Sequence, residues 1–181
     1  MARILCVLIL VLEVKGLSLS LSERKWRALV FYTQLSNVVT TVSALLLVLF
    51  GQPLWVTVLR YVGTCMLVMT FFVTTCVLIP MGGDPKHLLT GNGLFLHVLC
   101  PAVSAVSYIF FERHCGMVWL PAAVTLVYGL LMLYLNGIRK VDGPYPFFRV
   151  HDQTPARTVL WMAVLLTAVT GISAGVWALA R

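Results

Sequence analysis

Residues 28–51 read ALVFYTQLSNVVTTVSALLLVLFG. The run has the length of a membrane crossing, since a hydrocarbon core of roughly 30 Å takes about 20 mostly apolar helical residues. Yet it opens on FYTQLSN, in which Thr33, Gln34, Ser36 and Asn37 are polar. Such groups have three readings: packing glue between helices, an ion or substrate path, or half of a catalytic pair.

Composition decides the class. The 181 residues are 60% hydrophobic and 10% charged, with a mean hydropathy of +0.97. Soluble domains run at about 45–50% apolar and about 25% charged. A soluble fold of this length cannot cover so much apolar surface, so lipid is the solvent.

Working outward from 28–51, six segments meet the crossing length: about 3–21, 28–51, 54–79, 89–111, 117–137 and 157–180. Between them stand ERKWR, GQP, PMGGDPKH, ERHCG and the long RKVDGPYPFFRVHDQTPAR. Proline removes an N–H and glycine tolerates open backbone geometry, so this punctuation marks helix ends. The period-two alternation of barrel strands is absent. With no internal repeat or soluble module, the chain reads as all-α: one domain over 1–181, a polytopic bundle of six transmembrane helices.

The first span, RILCVLILVLE, has the basic start and short apolar stretch of a signal peptide. It lacks an Ala-x-Ala site, with Ser18-Leu19-Ser20 a weak substitute, and is expected to be retained. As a helix it is marginal, because Glu13 and Lys15 offset its Ile, Leu and Val. Orientation follows from Lys and Arg. Arg24, Lys25, Arg27, Lys86, Arg139, Lys140, Arg149 and Arg157 lie on one side, against Arg3, Arg60, Arg113 and Arg181 on the other. The positive-inside rule puts both termini outside. The net charge of +7 is therefore a topology signal, and nucleic-acid binding is a poor explanation for it. Cysteines 6, 65, 76, 100 and 115 show no CxxC spacing and read as small hydrophobes.

On a 100° wheel Thr33, Ser36, Asn37 and Thr40 share one face of the second span, with Ser43 at its edge. His97, Cys100, Pro101, Ser104 and Tyr108 share a face of the fourth, and Arg60 and Thr64 lie one turn apart on the third. Small polar residues commonly join helices in lipid. His97 is different, because an intramembrane ionisable group is a functional candidate by default. With the second span entering near residue 28 and the fourth near 89, Thr33 and His97 should lie about 8 Å and about 12 Å below the same edge. They can meet there under PYPFFRV, with Tyr145 or Phe147 near the mouth of a pocket. Pro101 cannot bond the carbonyl of His97, which should loosen the helix at that point. Arg60, about 9 Å deep, can reach Glu13, about 15 Å deep, and a structural ion pair between them is expected.

F-Y-T in FYTQLSN, His97 with Pro101 in LHVLCP, and YPFF in GPYPFFRV carry a resemblance across essentially the whole chain. In order and placement they resemble a bacterial family of six-helix integral membrane proteins, the uncharacterised "Pr-six-Pr" family. More distantly they resemble the androgen-induced gene and androgen-dependent TFPI-regulating protein family, threonine hydrolases that cleave esters of hydroxy fatty acids. The resemblance implies a bacterial cell membrane as the location and catalytic roles for Thr33 and His97. Two spacings depart from the eukaryotic pattern: the histidine stands one residue nearer its proline, and the asparagine after the threonine is shifted by one.

The chemistry is self-consistent. A threonine hydroxyl becomes a nucleophile when a neighbouring imidazole takes its proton. Acyl transfer also needs donors for the developing oxyanion, for which Ser36 and Asn37 are candidates. The preferred reading is a Thr–His hydrolase of lipid (fatty-acid) esters that needs no cofactor or metal and has membrane lipid as its partner. The rivals are a metal-dependent hydrolase using His87, His97 and His151 with Asp84 or Asp152, a small transporter, and a non-catalytic scaffold or lipid-binding protein.

Overall fold

The structure is a computed structural model that describes residues 1–180; of Glu23, Arg24 and Trp26 only the backbone is described. The side chain of Arg24 and all of Arg181, both counted in the charge asymmetry, lie outside the described residues. The chain forms α1 (Ala2–Arg24), α2 (Tyr32–Phe50), α3 (Leu54–Leu78), a short α4 (Pro85–Leu89), α5 (Asn92–Phe111), α6 (Leu120–Gly137) and α7 (Pro155–Leu179). All except α4 are long and apolar enough to cross a membrane, so the chain is an integral membrane protein with an all-α bundle.

Three connections, 25–31, 79–91 and 138–154, gather at one end, where residues from each line a common cavity. This is the long-loop end. Met1–Arg3, the 51–53 turn and Arg113 meet at the other, the termini end. Helix α3 is the most enclosed span. It packs against α2 and α5 on one side and α6 and α7 on the other, and α1 closes a ring with α2 and α5.

Two glycines permit close approaches within the ring of α1, α2, α3 and α5. A Cβ on Gly63 would stand 2.9 Å from Thr40 Oγ1 and 3.3 Å from its Cα, so glycine sets the α2–α3 spacing. Gly16 meets Leu96 in the same way, at 2.6 Å from Cδ2, where α1 crosses α5. Small residues let helix backbones come together in lipid, where contact rather than water exclusion holds them.

Several expected boundaries move. Residues 28–30 belong to a 3₁₀ turn, Lys25–Val30, and α2 starts only after an extended Phe31. Residues 85–89 form their own turn, with Pro85 in its first turn and Asp84 accepting from the N–H of Lys86 at 2.9 Å. Helix α5 therefore begins at Asn92 rather than 89.

The expected ion pair of Glu13 with Arg60 does not form. Arg60 instead donates from Nε and Nη2 to Glu112 at 2.9 and 2.8 Å, and both residues are buried. Ser107 donates to the same carboxylate at 2.7 Å. The reason is geometric: Glu112 follows directly on α5 at the end from which Arg60 is about 9 Å deep, whereas Glu13 lies nearer mid-membrane.

Candidate functional site

The polar opening of α2 is tied down on three sides. Gln34 Nε2 donates to Ser20 Oγ on α1 at 3.0 Å, and Asn92 Nδ2 at the start of α5 donates to the same oxygen at 2.9 Å. Tyr32 shares a 2.7 Å hydroxyl bond with Thr125 on α6 and meets Tyr128 edge to face. Tyr128 in turn donates to the carbonyl of Val30 at 2.8 Å.

Ser36 and Asn37, expected to face a pocket as oxyanion donors, fold back on their own helix. Ser36 Oγ donates to the Thr33 carbonyl at 2.8 Å and shares a 3.0 Å bond with Thr70 Oγ1 on α3. Asn37 Nδ2 donates to the same carbonyl at 2.6 Å. A carbonyl in the first turn of α2 thus gathers two side-chain donors, which fixes the backbone of Thr33. Neither Ser36 nor Asn37 lines a cavity next to Thr33.

Thr33 itself lies between two cavities. One, of about 650 Å³, opens at the long-loop end and is lined by Thr33, His97, Tyr145, Lys86, His87 and Asn92 among others. The second, of about 50 Å³, is apolar, with Met69, Val73, Phe147, Phe148 and Leu166 in its walls. Tyr145 also lines both, and its hydroxyl lies 3.5 Å from Thr33 Oγ1 and 3.4 Å from the Thr33 N–H. Phe147 stacks on Tyr145 at 5.1 Å and lines the apolar cavity rather than the mouth of the larger one.

His97 sits in a widened turn. Residues Phe95–Leu99 of α5 form a π-turn in which the N–H of Cys100 bonds back to the carbonyl of Phe95. Pro101, which has no N–H for the His97 carbonyl, stands just beyond it. A second π-turn, Thr74–Leu78, ends α3 at the same end of the bundle, and Thr74 and Leu78 border the apolar cavity. Such turns occur frequently at functional sites.

His97 Nδ1 lies 2.7 Å from the carbonyl of Leu88. A carbonyl only accepts, so Nδ1 carries the proton and Nε2 is the basic nitrogen. His97 is half-buried and lines the same cavity as Thr33, but no hydrogen bond joins the two. Both lie nearer the edge than expected: Thr33 is in the first turn of α2, and His97 is five residues, about 8 Å, into α5.

The loop bearing Tyr145 is organised by Asn136. Its Nδ2 donates to Val141 O at 3.0 Å, its Oδ1 accepts from the Val150 N–H at 2.9 Å, and its carbonyl meets His151 Nε2 at 3.1 Å. Sequence reading missed Asn136, and an amide in the last turn of an apolar span was the available signal. His151 is thus a loop fastener. No group of three His, Cys, Asp or Glu able to hold a metal occurs among the described residues. The ligand set proposed from His87, His97, His151 and Asp84 or Asp152 does not converge.

No family model, curated protein or solved structure matches the chain.

Proposed function

We propose that this membrane protein hydrolyses lipid esters, with Thr33 as nucleophile and His97 as general base. The observation that carries the reading is the shared cavity: Thr33 and His97, from two different helices, line one chamber while Thr33 also borders an apolar one. A bound ester draws the two together, as catalytic contacts commonly tighten only with substrate in place. Nε2 of His97 takes the Thr33 proton as Oγ1 attacks the ester carbonyl. The Tyr145 hydroxyl supplies a donor to the oxyanion, the role first given to Ser36 and Asn37. The alcohol leaves with the proton from His97, and water activated by the same nitrogen releases the acid from Thr33. The acyl chain enters the apolar cavity. Lys25, Arg27, Lys86, Arg139, Lys140 and Arg149 in the three connections of the long-loop end support an orientation with that end in the cytoplasm and both termini outside. The plasma membrane of a bacterial cell is what the family resemblance implies.

A fluorophosphonate probe tests this directly. It should label the wild-type chain on Thr33, and the label should vanish in Thr33→Ala. An unlabelled wild type that is folded and binds lipid would instead favour a non-catalytic lipid-binding protein or scaffold.

A further inference from the structure

The ring of α1, α2, α3 and α5 has a polar interior one to two turns deeper than Thr33 and His97. Glu13 of α1, Thr40 of α2, Thr64 of α3 and Cys100 of α5 are all fully buried. At 1.5 Å per residue from the termini end, they share a layer about 15–17 Å deep, midway through the membrane. Hydrogen bonds are unequally shared around it. Glu112 accepts from Arg60 and Ser107, and Thr64 shares a 2.9 Å bond with Ser104. By contrast neither oxygen of Glu13 has a nitrogen or oxygen donor, only the Cys100 thiol beside it, and Nη1 of Arg60 and Oγ1 of Thr40 are unpartnered.

We infer that Glu13 is an intramembrane proton-binding site, holding a proton at mid-membrane and exchanging it with the termini end by way of the Arg60–Glu112 pair. Charge counting leads there. Among the described residues the buried interior of the ring holds two carboxyls and one guanidinium, and the guanidinium is already matched by Glu112. A second carboxylate would stand unpaired in hydrocarbon, which is expensive enough that the acid form prevails.

The groups facing Glu13 agree. α5 presents the Cys100 thiol and α3 presents Arg60. Cys6, on α1, is turned to Glu112, and α2 carries no Asp, Glu, His, Lys or Arg to set against Glu13. His97, one turn before Cys100, is held by Leu88.

The release route follows from Arg60. Glu13 gives its proton to the Glu112 carboxylate, the one base of the pair, while the guanidinium keeps its own protons and turns the unpartnered Nη1 to the new Glu13 carboxylate. Glu112 then passes the proton to water at the termini end. Glu112 in turn adjoins Arg113, which with Arg3 and Gln52 lines an open cavity of about 650 Å³ at the termini end. A buried acid with such an outlet is the element a proton-linked conformational change requires.

Dicyclohexylcarbodiimide tests the proposal on the full chain in detergent. The acid O–H adds across one C=N bond, and the adduct rearranges to a stable N-acylurea without another reactant. Mass spectrometry should find the label on Glu13 and not on Glu112, fading as pH rises and lost in Glu13→Gln. Infrared spectroscopy covers the case in which the reagent cannot reach the core. The wild type at neutral pH should show a protonated-carboxyl C=O band that Glu13→Gln removes. Absence of that band overturns the proposal whatever the reagent labels. Protection of Glu13 by sodium at constant pH also overturns it, in favour of a metal cation. Neither readout depends on Thr33 or His97.

Discussion

Replacing Glu112 by Gln preserves shape and removes one charge from a buried pair. The carboxylate takes Nε and Nη2 of Arg60 at 2.9 and 2.8 Å and Ser107 at 2.7 Å, in a site where the side chains are 0% and 2% exposed. Breaking such a pair strands the remaining charge and costs roughly 3–5 kcal/mol. For a chain of this size each kcal/mol moves the melting midpoint by about 2–4 °C, so Glu112→Gln should melt about 6–20 °C below wild type. Removing both charges, as Arg60→Met with Glu112→Leu, should recover most of that loss, because a buried pair is itself worth little against apolar packing. Glu13→Gln, which replaces a carboxyl with no nitrogen or oxygen partner, should melt within about 4 °C of wild type, a change of roughly 1 kcal/mol. Thermal unfolding in one detergent, followed by cysteine-reactive dye or circular dichroism, compares all four proteins. The reasoning fails if Glu112→Gln melts with the wild type, or if Glu13→Gln is the less stable of the two single variants.

Other outcomes follow from the same geometry. Gly63→Ala should cost about 1–3 kcal/mol through crowding against Thr40, whereas Gly171→Ala, with open space around it, should be neutral or slightly stabilising in the same melting assay. Tyr145→Phe should lower the turnover of ester hydrolysis by about 10²-fold, the scale of losing one oxyanion donor, while lowering the melting midpoint by no more than about 4 °C, the scale of one lost hydrogen bond. Single cysteines placed in the 138–154 connection should react with an impermeant maleimide only after the cytoplasmic face is opened, and one at Arg113 should react in intact cells; the reverse pattern contradicts the orientation.

The class and the spans are legible in the sequence because hydropathy is a bulk property and each span is interrupted by proline, glycine or charge. The ends are less so. Residues 28–30 are apolar enough to continue α2 outward, yet they form a 3₁₀ turn, and nothing in their composition distinguishes the two. The polar faces could be read from helical spacing: Ser36, Asn37, Thr40, Ser43, Cys100, Ser104 and Tyr108 are all buried. What those groups bond to could not. Ser36 and Asn37 turn to the Thr33 carbonyl because short polar side chains near a helix start reach their own backbone before a neighbouring helix. Glu112 stood in ERHCG as mere loop punctuation, although an arginine one or two turns below the same membrane edge was the available signal of its partner. The widened turn at His97 was partly legible, since Pro101 removes a backbone donor, but the π-turn itself, whose Phe95 and Leu96 lie against Gly16 of α1, was not.

The central claim is that Thr33 and His97 act as one unit on an ester. The most direct test is the rate of lipid-ester hydrolysis by purified wild type, Thr33→Ala, His97→Ala and the double variant, each first shown to melt like the wild type. The account predicts hydrolysis by the wild type, its loss in each single variant, and a double variant no worse than either, because residues that act together are not additive. Full activity in Thr33→Ala would contradict it and leave FYTQLSN as the fastening of α2 to its neighbours.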